Sequence, residues 1–270
     1  MKRIGGFVFF ILQYIYIYSQ PSVCRITNSA FQAGEEITYE LSYNWGIPWV
    51  KAGFAKFSVA EKILNDKPYY QLIGRGSTYE SWDWVYKMRA VYQTYVDQET
   101  VRPIYHKRDV VEPTYFIDTE YKFNWRDTVV FVKHQTIRHP LRYDTMKVTP
   151  CTYDIMSILY YARNLDYSNA KIGELFLINI ILDNELFNVY FKYLGKEPLK
   201  IKKIGKFNCL KFAVYTIQGT MFDEGENMFL WVTDDANKIA LQVETPILVG
   251  SIRATVIDMK GIRHEFTSKK

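Results

Sequence analysis

Apolar and polar side chains alternate with a period of two along most of the chain after its first twenty residues, a pattern typical of β-strands. In the first clear run, Ile37, Tyr39 and Leu41 share one face and polar residues lie between them. Turn-forming residues interrupt the alternation at short intervals. The pattern predicts strands over residues 37–45, 50–60, 69–78, 90–96, 103–111, 114–125, 128–137, 171–182, 185–194, 199–203, 207–218, 227–233, 238–245 and 249–259.

Short turns join these predicted strands. The clearest is Asp183-Asn184, which separates two strongly apolar runs, and Asp234-Asp235-Ala236-Asn237 and Arg126-Asp127 are further candidates. Because strand follows strand without an alternating helix, the sheet should be antiparallel. We predict a mainly β fold, a large antiparallel curved sheet or open barrel, and no dinucleotide-binding fold.

One segment, about residues 152–165, has helical spacing, and we expect this helix to plug or flank the sheet. Thr152 or Cys151 is expected to cap its start, with Asp154 in the first turn. Arg163 near its end favours the helix dipole there. The apolar positions that recur at helical spacing are Ile155, Ile158, Leu159, Ala162 and Leu165.

The N-terminus has the layout of a secretory signal. Lys2 and Arg3 precede an apolar run that starts at Ile4, and Ser19-Gln20-Pro21-Ser22 follows it. We predict a signal peptide over residues 1–20 and export to the periplasm or cell envelope; an uncleaved anchor is the alternative, although the run is short of the ~20 residues that span a bilayer. The remainder, residues 24–270, is expected to be a single β-rich domain, with two packed halves divided near 145–168 as a variant. No second long apolar run predicts a membrane span after cleavage.

Three cysteines leave alternatives open. Cys24 follows the apolar run closely enough to be acylated, although Pro21-Ser22-Val23 fits a lipidation site poorly. Cys151 and Cys209 either pair in an oxidising compartment or remain as buried free thiols. Since no Cys-x-x-Cys or Cys/His cluster is present, we predict no zinc site and no cofactor.

Composition favours a large sheet over a charged binding surface. The net charge of +5 is spread thinly, which gives no footprint for nucleic acid. Apolar residues make up 48% and aromatic residues 17%, with 22 Tyr and 17 Phe. Tyrosine suits a half-wet pleated surface, so the aromatic excess indicates β-sheet first and ligand stacking second.

The tryptophans are the best candidates for ligand contact. Exposed rings can stack on sugars, and rings that line a curved sheet can enclose an acyl chain; the alternative is that they fill the core. Trp82 and Trp84 stand two apart in residues 79–88, which fit neither regular pattern, so we expect them to be exposed. The candidate ligand-binding residues are Trp45, Trp49, Trp82, Trp84 and Trp125.

Other clusters favour structural roles. Asp234-Asp235 with Asn237 has calcium-binding oxygens, as does Asp223-Glu224-Gly225-Glu226, but both stretches also suit ordinary turns or loops. His106-Lys107-Arg108 can contact an anionic headgroup or sugar acid, or form cross-strand ion pairs on a solvated face. The histidines lack metal-binding spacing and no Gly-x-Ser-x-Gly elbow exists, so we expect no catalytic residues and no enzyme activity.

Three stretches together resemble a known family. They are Gly34-Glu35-Glu36-Ile37-Thr38-Tyr39 with the glycines that follow, residues 154–163, and residues 231–241 leading into Val249-Gly250-Ser251. Their order resembles the DUF3108 family, a domain of unknown function in exported bacterial proteins, common in Bacteroidetes. The resemblance implies an envelope β-rich protein of unassigned activity. Ile239-Ala240-Leu241 departs from the family pattern, where a proline is expected.

From these observations we expect a non-enzymatic envelope protein that binds an apolar or amphipathic, lipid-like ligand in an open barrel. One alternative is a structural or protein-interaction module with an envelope protein as its partner, contacted through a strand edge or the Trp82/Trp84 loop. The other is a protein that binds a glycan.

Overall fold

The period-two alternation builds a single sheet of fifteen strands. The computed structural model describes residues 26–46, 48–216, 228–247 and 249–270. The predicted signal peptide, Cys24 and the acidic stretch 223–226 lie outside the described residues. Within the described part, no helix is long and apolar enough to cross a membrane.

The strands follow the predicted alternation, and a short 3-10 helix, Glu80–Trp82, lies in the segment that fitted neither pattern. The strands are β1 Glu36–Asn44, β2 Val50–Leu64, β3 Lys67–Thr78, β4 Arg89–Asp97, β5 Pro103–Glu112, β6 Tyr115–Asn124, β7 Val129–Thr136, β8 Arg142–Lys147, β9 Thr152–Tyr153, β10 Leu175–Leu182, β11 Glu185–Ile201, β12 Gly205–Thr216, β13 Met228–Thr233, β14 Ala240–Pro246 and β15 Ser251–Lys260.

The spatial order of the strands is β8-β7-β6-β5-β4-β3-β2-β1-β15-β14-β13-β12-β11-β10-β9. Every neighbouring pair is antiparallel except β9 with β10, which is parallel. The first and last strands therefore meet in the middle of the sheet, and β8 and β9 form its two edges. This arrangement confirms the predicted mainly β, antiparallel, open architecture.

The two edges are held near each other although no hydrogen-bonded ladder joins them among the described strands. Only residues 148–151 separate β8 from β9, so their ends can lie no more than about 18 Å apart, since each residue spans at most ~3.6 Å. Across this seam, Arg108 Nη1 lies 2.7 Å from Asp183 Oδ1, and Ile181 packs in one cluster with Tyr121 and Val148. The sheet is thus curled but open.

The Asp183-Asn184 hairpin is confirmed. Both residues have positive φ, +49° and +64°, as a two-residue type I′ turn requires, and Asn and Asp tolerate that region better than most residues. The Asn184 N–H donates to the Tyr121 hydroxyl at 3.3 Å. The turn therefore also joins the second half of the sheet to the first.

Two strand predictions differ from the structure. The separate strands 185–194 and 199–203 are one strand, β11, in which Pro198 is tolerated. β10 pairs with β11 only as far as Lys192, so beyond that residue one edge of β11 has no neighbouring strand. No hydrogen bond on that edge requires the N–H group that proline lacks. The edge strand β8 was not predicted, because most of its side chains are exposed and it has no apolar alternation.

The predicted helix is confirmed as α1, but it covers only Ser157–Ala162. The expected cap at Thr152 or Cys151 is wrong, because residues 152–153 instead pair with β10 as β9. The Asp154 carboxylate caps the turn: its Oδ1 accepts from the backbone N–H groups of Met156 and Ser157 at 2.8 and 3.1 Å.

Residues 152–167, here called the interior segment, pack against the inner face of the sheet. Their buried side chains form one cluster with Leu72 of β3 on one side and with Phe191 and Phe212 on the other. Tyr153 and Tyr161 stack within the segment at a ring separation of 4.2 Å. The interior segment thus forms the centre of the largest core.

Neighbouring positions of α1 provide a test of this packing. Ile158 is 4% exposed in the core, whereas Leu159 is 44% exposed. We expect Ile158→Ala to lower the free energy of unfolding by about 2–5 kcal/mol, because a buried side chain is lost and a cavity remains. Leu159→Ala should cost less than about 1 kcal/mol. Urea denaturation measures both, and equal losses would contradict the placement of the helix.

Candidate functional site

A largely apolar cavity of about 370 Å³ lies between α1 and the inner faces of β1, β2 and β11–β15. The strand alternation explains its walls, since inward positions two apart on β1 supply Ile37, Tyr39 and Leu41. Small residues opposite them leave the space unfilled. These small wall residues are Ala55, Ala162, Ala240 and Ala254.

The cavity has a buried end and an accessible side. Ile37 and Ile239 are buried, whereas Leu41 and Val243 are partly exposed and Leu159 is exposed. Two tyrosine hydroxyls of the lining are placed by hydrogen bonds: Tyr39 donates to the Ala240 carbonyl and Tyr167 to the Ala162 carbonyl, each at 2.8 Å. Burial raises the pKa of Tyr39, so its hydroxyl stays neutral. The cavity is therefore suited to an apolar guest.

Arg163 lines the cavity but its charge is already paired. Its guanidinium binds both carboxylate oxygens of Glu35, at 2.6 and 2.8 Å, and both side chains are buried. Its Nε donates to the Asn237 carbonyl at 2.9 Å and its Nη2 to the Ala30 carbonyl at 3.1 Å. Arg163 directly follows α1, as the sequence predicted, and its guanidinium is bound by the oppositely charged Glu35; an interaction with the helix dipole stays a prediction.

Lys238 is the second cation of the lining. It lies in the turn between β13 and β14 with φ +46°. Burial lowers the pKa of its ammonium group, and the charges of Asp166 and Asp235 only partly offset this. Its ammonium makes no ion pair with any residue that the structure describes.

The acidic residues of the turn between β13 and β14 make the hydrogen bonds and the ion pair that hold the turn. Asp235 Oδ1 accepts from Thr233 Oγ1 at 2.9 Å and from the Asn237 N–H at 3.0 Å. Asp234 pairs with Lys196 at 2.6 Å. Over the described ranges, no group of three or more His, Cys, Asp or Glu side chains is placed to hold a metal ion. The turn interpretation of Asp234-Asp235 with Asn237 agrees with these contacts.

A second polar group lies buried where the interior segment meets β4 and β5. Thr94 Oγ1 donates to Asp154 Oδ1 at 2.8 Å, and His106 Nδ1 lies 2.8 Å from Thr94 Oγ1 and 3.1 Å from Asp154 Oδ1. Ser157 Oγ donates to Asp154 Oδ2 at 2.8 Å. Sequence reasoning missed this group, because its members are scattered along the chain.

This group has the residue types of a hydrolase triad but not its arrangement. Ser157 and His106 both contact Asp154, whereas a nucleophilic serine must bond to the histidine. All three side chains are almost completely buried. The group joins the interior segment to the sheet.

The basic triplet 106–108 does not form one surface. His106 is buried, Lys107 lies 3.9 Å from both Asp118 and Glu120, and Arg108 pairs with Asp183 across the seam. Cross-strand pairing accounts for Lys107, so the triplet presents no cluster of positive charge to a ligand.

The five predicted tryptophans lie at the two ends of the sheet, and none lines the cavity. Trp45, Trp49 and Trp84 lie in loops at one end, and Trp82 ends the 3-10 helix there. Trp84 is 86% exposed as predicted, whereas Trp82 is half-buried, and the Arg253 guanidinium lies 3.9 Å from the Trp49 ring centre. Trp125 lies at the other end, and its Nε1 donates to the Pro103 carbonyl at 2.7 Å. Their role in ligand binding stays a prediction.

The two central cysteines do not pair with each other. Cys151 is disulfide-bonded, whereas Cys209 is a buried free thiol. Burial raises the pKa of Cys209 to about 12, so it remains protonated and unreactive in the folded protein.

The buried ion pair predicts strong coupling between its members. Arg163→Met alone leaves Glu35 charged and unpaired in the core, which should cost about 3–5 kcal/mol of stability. Glu35→Leu combined with Arg163→Met should cost clearly less than the sum of the two single changes, because no charge is left alone. A double-mutant cycle by urea denaturation measures this coupling, and additive losses would contradict it.

Two buried groups predict that stability falls as the pH falls. Burial lowers the pKa of His134, so the unfolded state takes up a proton first and stability decreases below about pH 6.5. Burial raises the pKa of Asp154, but the attraction of His106 and the hydrogen bonds of Ser157 outweigh this and lower it overall. The stability that ionised Asp154 contributes to the folded state is therefore lost below about pH 4.

Urea midpoints measured across this range test both groups. His134→Gln should flatten the profile between about pH 7.5 and 5.5 and leave the fall below about pH 4 unchanged. A wild-type midpoint that is constant down to about pH 5 would show that His134 does not contribute.

Comparisons with known proteins identify the family. Among solved structures, a crystal structure of a β-barrel-like protein of the domain of unknown function DUF1849 from Brucella abortus is similar, with a TM-score of 0.56 and 11% sequence identity over 86% of this chain and 99% of that chain. At this identity the similarity concerns the fold. Comparison with the curated proteins gives no match. The family model of DUF3108, a protein of unknown function, matches residues 38–257, which confirms the resemblance noted from the sequence. The chain belongs to the DUF3108 family.

Proposed function

We propose that this chain is an exported, non-enzymatic protein of the periplasm or cell envelope that binds an apolar or amphipathic, lipid-like ligand in its open barrel. The cavity beside α1 carries the proposal. Its volume of about 370 Å³ falls within the roughly 300–1,000 Å³ of small-molecule sites, and its lining is almost entirely apolar. Burial of acyl methylene groups there releases about 0.8 kcal/mol each.

The accessible side of the cavity supports exchange of a ligand with solvent. Leu159 is exposed, and Leu41, Met228 and Val243 are only partly buried. Apolar surface of this kind is costly to leave in contact with water, so an amphiphile that covers it is stabilised.

Two observations support export. The first residues have the charge and hydropathy pattern of a secretory signal. Cys151 is disulfide-bonded, and disulfides persist in oxidising compartments such as the periplasm. Both point away from the reducing cytosol.

The absence of an enzyme activity is part of the proposal. The comparisons indicate no catalytic family. The polar side chains that would suit catalysis, His106, Asp154 and Ser157, are committed to one another in the core. Their contacts support a structural role.

A second candidate is a binding module for a glycan or an envelope protein through the loop that carries Trp82 and Trp84. Exposure of Trp84, together with Val85 and Tyr86 beside it, favours this candidate. It does not require the cavity, so it predicts no saturable uptake of a fatty acid by the delipidated protein.

Uptake of an environment-sensitive fluorescent fatty acid by the delipidated protein tests the proposal. Ala254 faces the cavity, and Ala254→Phe should fill it and weaken saturable binding by at least about tenfold. Thr255 is the next residue of β15 and points to the opposite face, so Thr255→Phe is the matched control and should bind like the wild type.

Two outcomes would overturn the cavity as the site. The first is wild-type protein that takes up no fatty acid saturably. The second is an Ala254→Phe variant that is folded, by its urea transition, and binds as tightly as the Thr255→Phe control.

A further inference from the structure

Two cationic side chains line the cavity, and they differ in whether a carboxylate is bound to them. Arg163 has both guanidinium edges occupied by Glu35 and by the carbonyls of Asn237 and Ala30. Lys238 lines the same cavity, and its ammonium has no oppositely charged group within 4.0 Å among the described residues. One positive charge at an apolar cavity is therefore left without a partner.

The acids nearest to Lys238 are engaged elsewhere. Asp235 accepts from Thr233, from the Asn237 N–H and from Ser268 Oγ at 2.6 Å. Asp166 accepts from the Ser168 N–H at 2.9 Å. Burial lowers the pKa of Lys238, with Arg163 adding to this effect and the two acids opposing it. A partly desolvated ammonium in this position gains from a further anion.

The backbone on both sides of Lys238 is fixed. Asn237 exchanges two hydrogen bonds with the His264 backbone, at 2.9 and 3.0 Å. Ile239 is tied to Thr233 through both its N–H and its carbonyl. The turn therefore presents Lys238 to the cavity from a rigid support, as a specific binding site requires.

We propose that Lys238 binds the anionic headgroup of the ligand, so that the cavity takes an amphiphile with a single acyl chain and a carboxylate or other small anionic headgroup. This inference rests on the proposed function and names its ligand class. The headgroup lies at Lys238, beside the buried Ile37 and Ile239. The chain extends along the apolar wall toward Leu41 and Val243, a distance of about 13 Å along β1.

Probes of equal chain length test the role of the headgroup. The delipidated protein is titrated with dodecanoate, dodecyl phosphate and dodecanol, by calorimetry or by displacement of the fluorescent fatty acid. The wild type should bind at least one of the two anions about tenfold or more tightly than the alcohol. The preferred anion distinguishes a carboxylate from a phosphate ligand.

Variants of Lys238 assign that preference to one side chain. Lys238→Met keeps most of the aliphatic stem and removes the charge, so it should lower the affinity for the preferred anion by about tenfold and leave dodecanol within about twofold. Lys238→Arg should retain the preference. Lys196→Met removes an exposed charge near the same turn and is the matched control, with no expected effect.

The outcomes separate the two proposals. If the wild type binds none of the probes, the proposed function fails. If it binds the anions and the alcohol equally, or if Lys238→Met keeps the preference for the anion, the cavity still binds lipid-like ligands and the assignment of Lys238 is overturned.

Discussion

The buried ion pair between Arg163 and Glu35 is the interaction on which the interior of this protein depends. A guanidinium and a carboxylate are costly to remove from water, and only complete pairing and hydrogen bonding offset that cost. Here Arg163 satisfies this condition with groups from two distant parts of the chain: Ala30 and Glu35 before β1, and Asn237 between β13 and β14. This one charge joins the end of α1 to the turn that carries Lys238, and both border the cavity.

The two halves of the barrel interior are chemically different. Toward β4–β7 the inward positions include polar side chains, such as Thr94 and His106, and these hold the interior segment through directional hydrogen bonds. Toward β11–β15 the inward positions are almost all apolar. Directional bonds are satisfied in only one placement of the segment, whereas apolar contacts tolerate variation. The polar half thus fixes the register of the segment, and the space remains on the apolar half.

Sequence reasoning predicted the parts of the fold whose cause is local. Strand alternation and the Asp183-Asn184 turn depend on neighbouring residues, and both are confirmed. The helix was predicted too long, because a segment packed between two walls is apolar on most sides whether or not it is helical. The cavity could not be predicted, since its walls come from seven strands and its features are small residues such as Ala254. Glu35 and Arg163 stand 128 positions apart, and nothing in either local sequence indicates the other.

An open barrel has two free strand edges, and each edge offers unpaired N–H and carbonyl groups to another chain. In this protein β9 is only two residues long, and β8 carries Arg142, Asp144 and Lys147 on exposed positions. Short length and alternating charge both discourage a second copy from adding its own strand. A barrel whose described edge strands are not joined by hydrogen bonds can therefore stay open without becoming a template for aggregation.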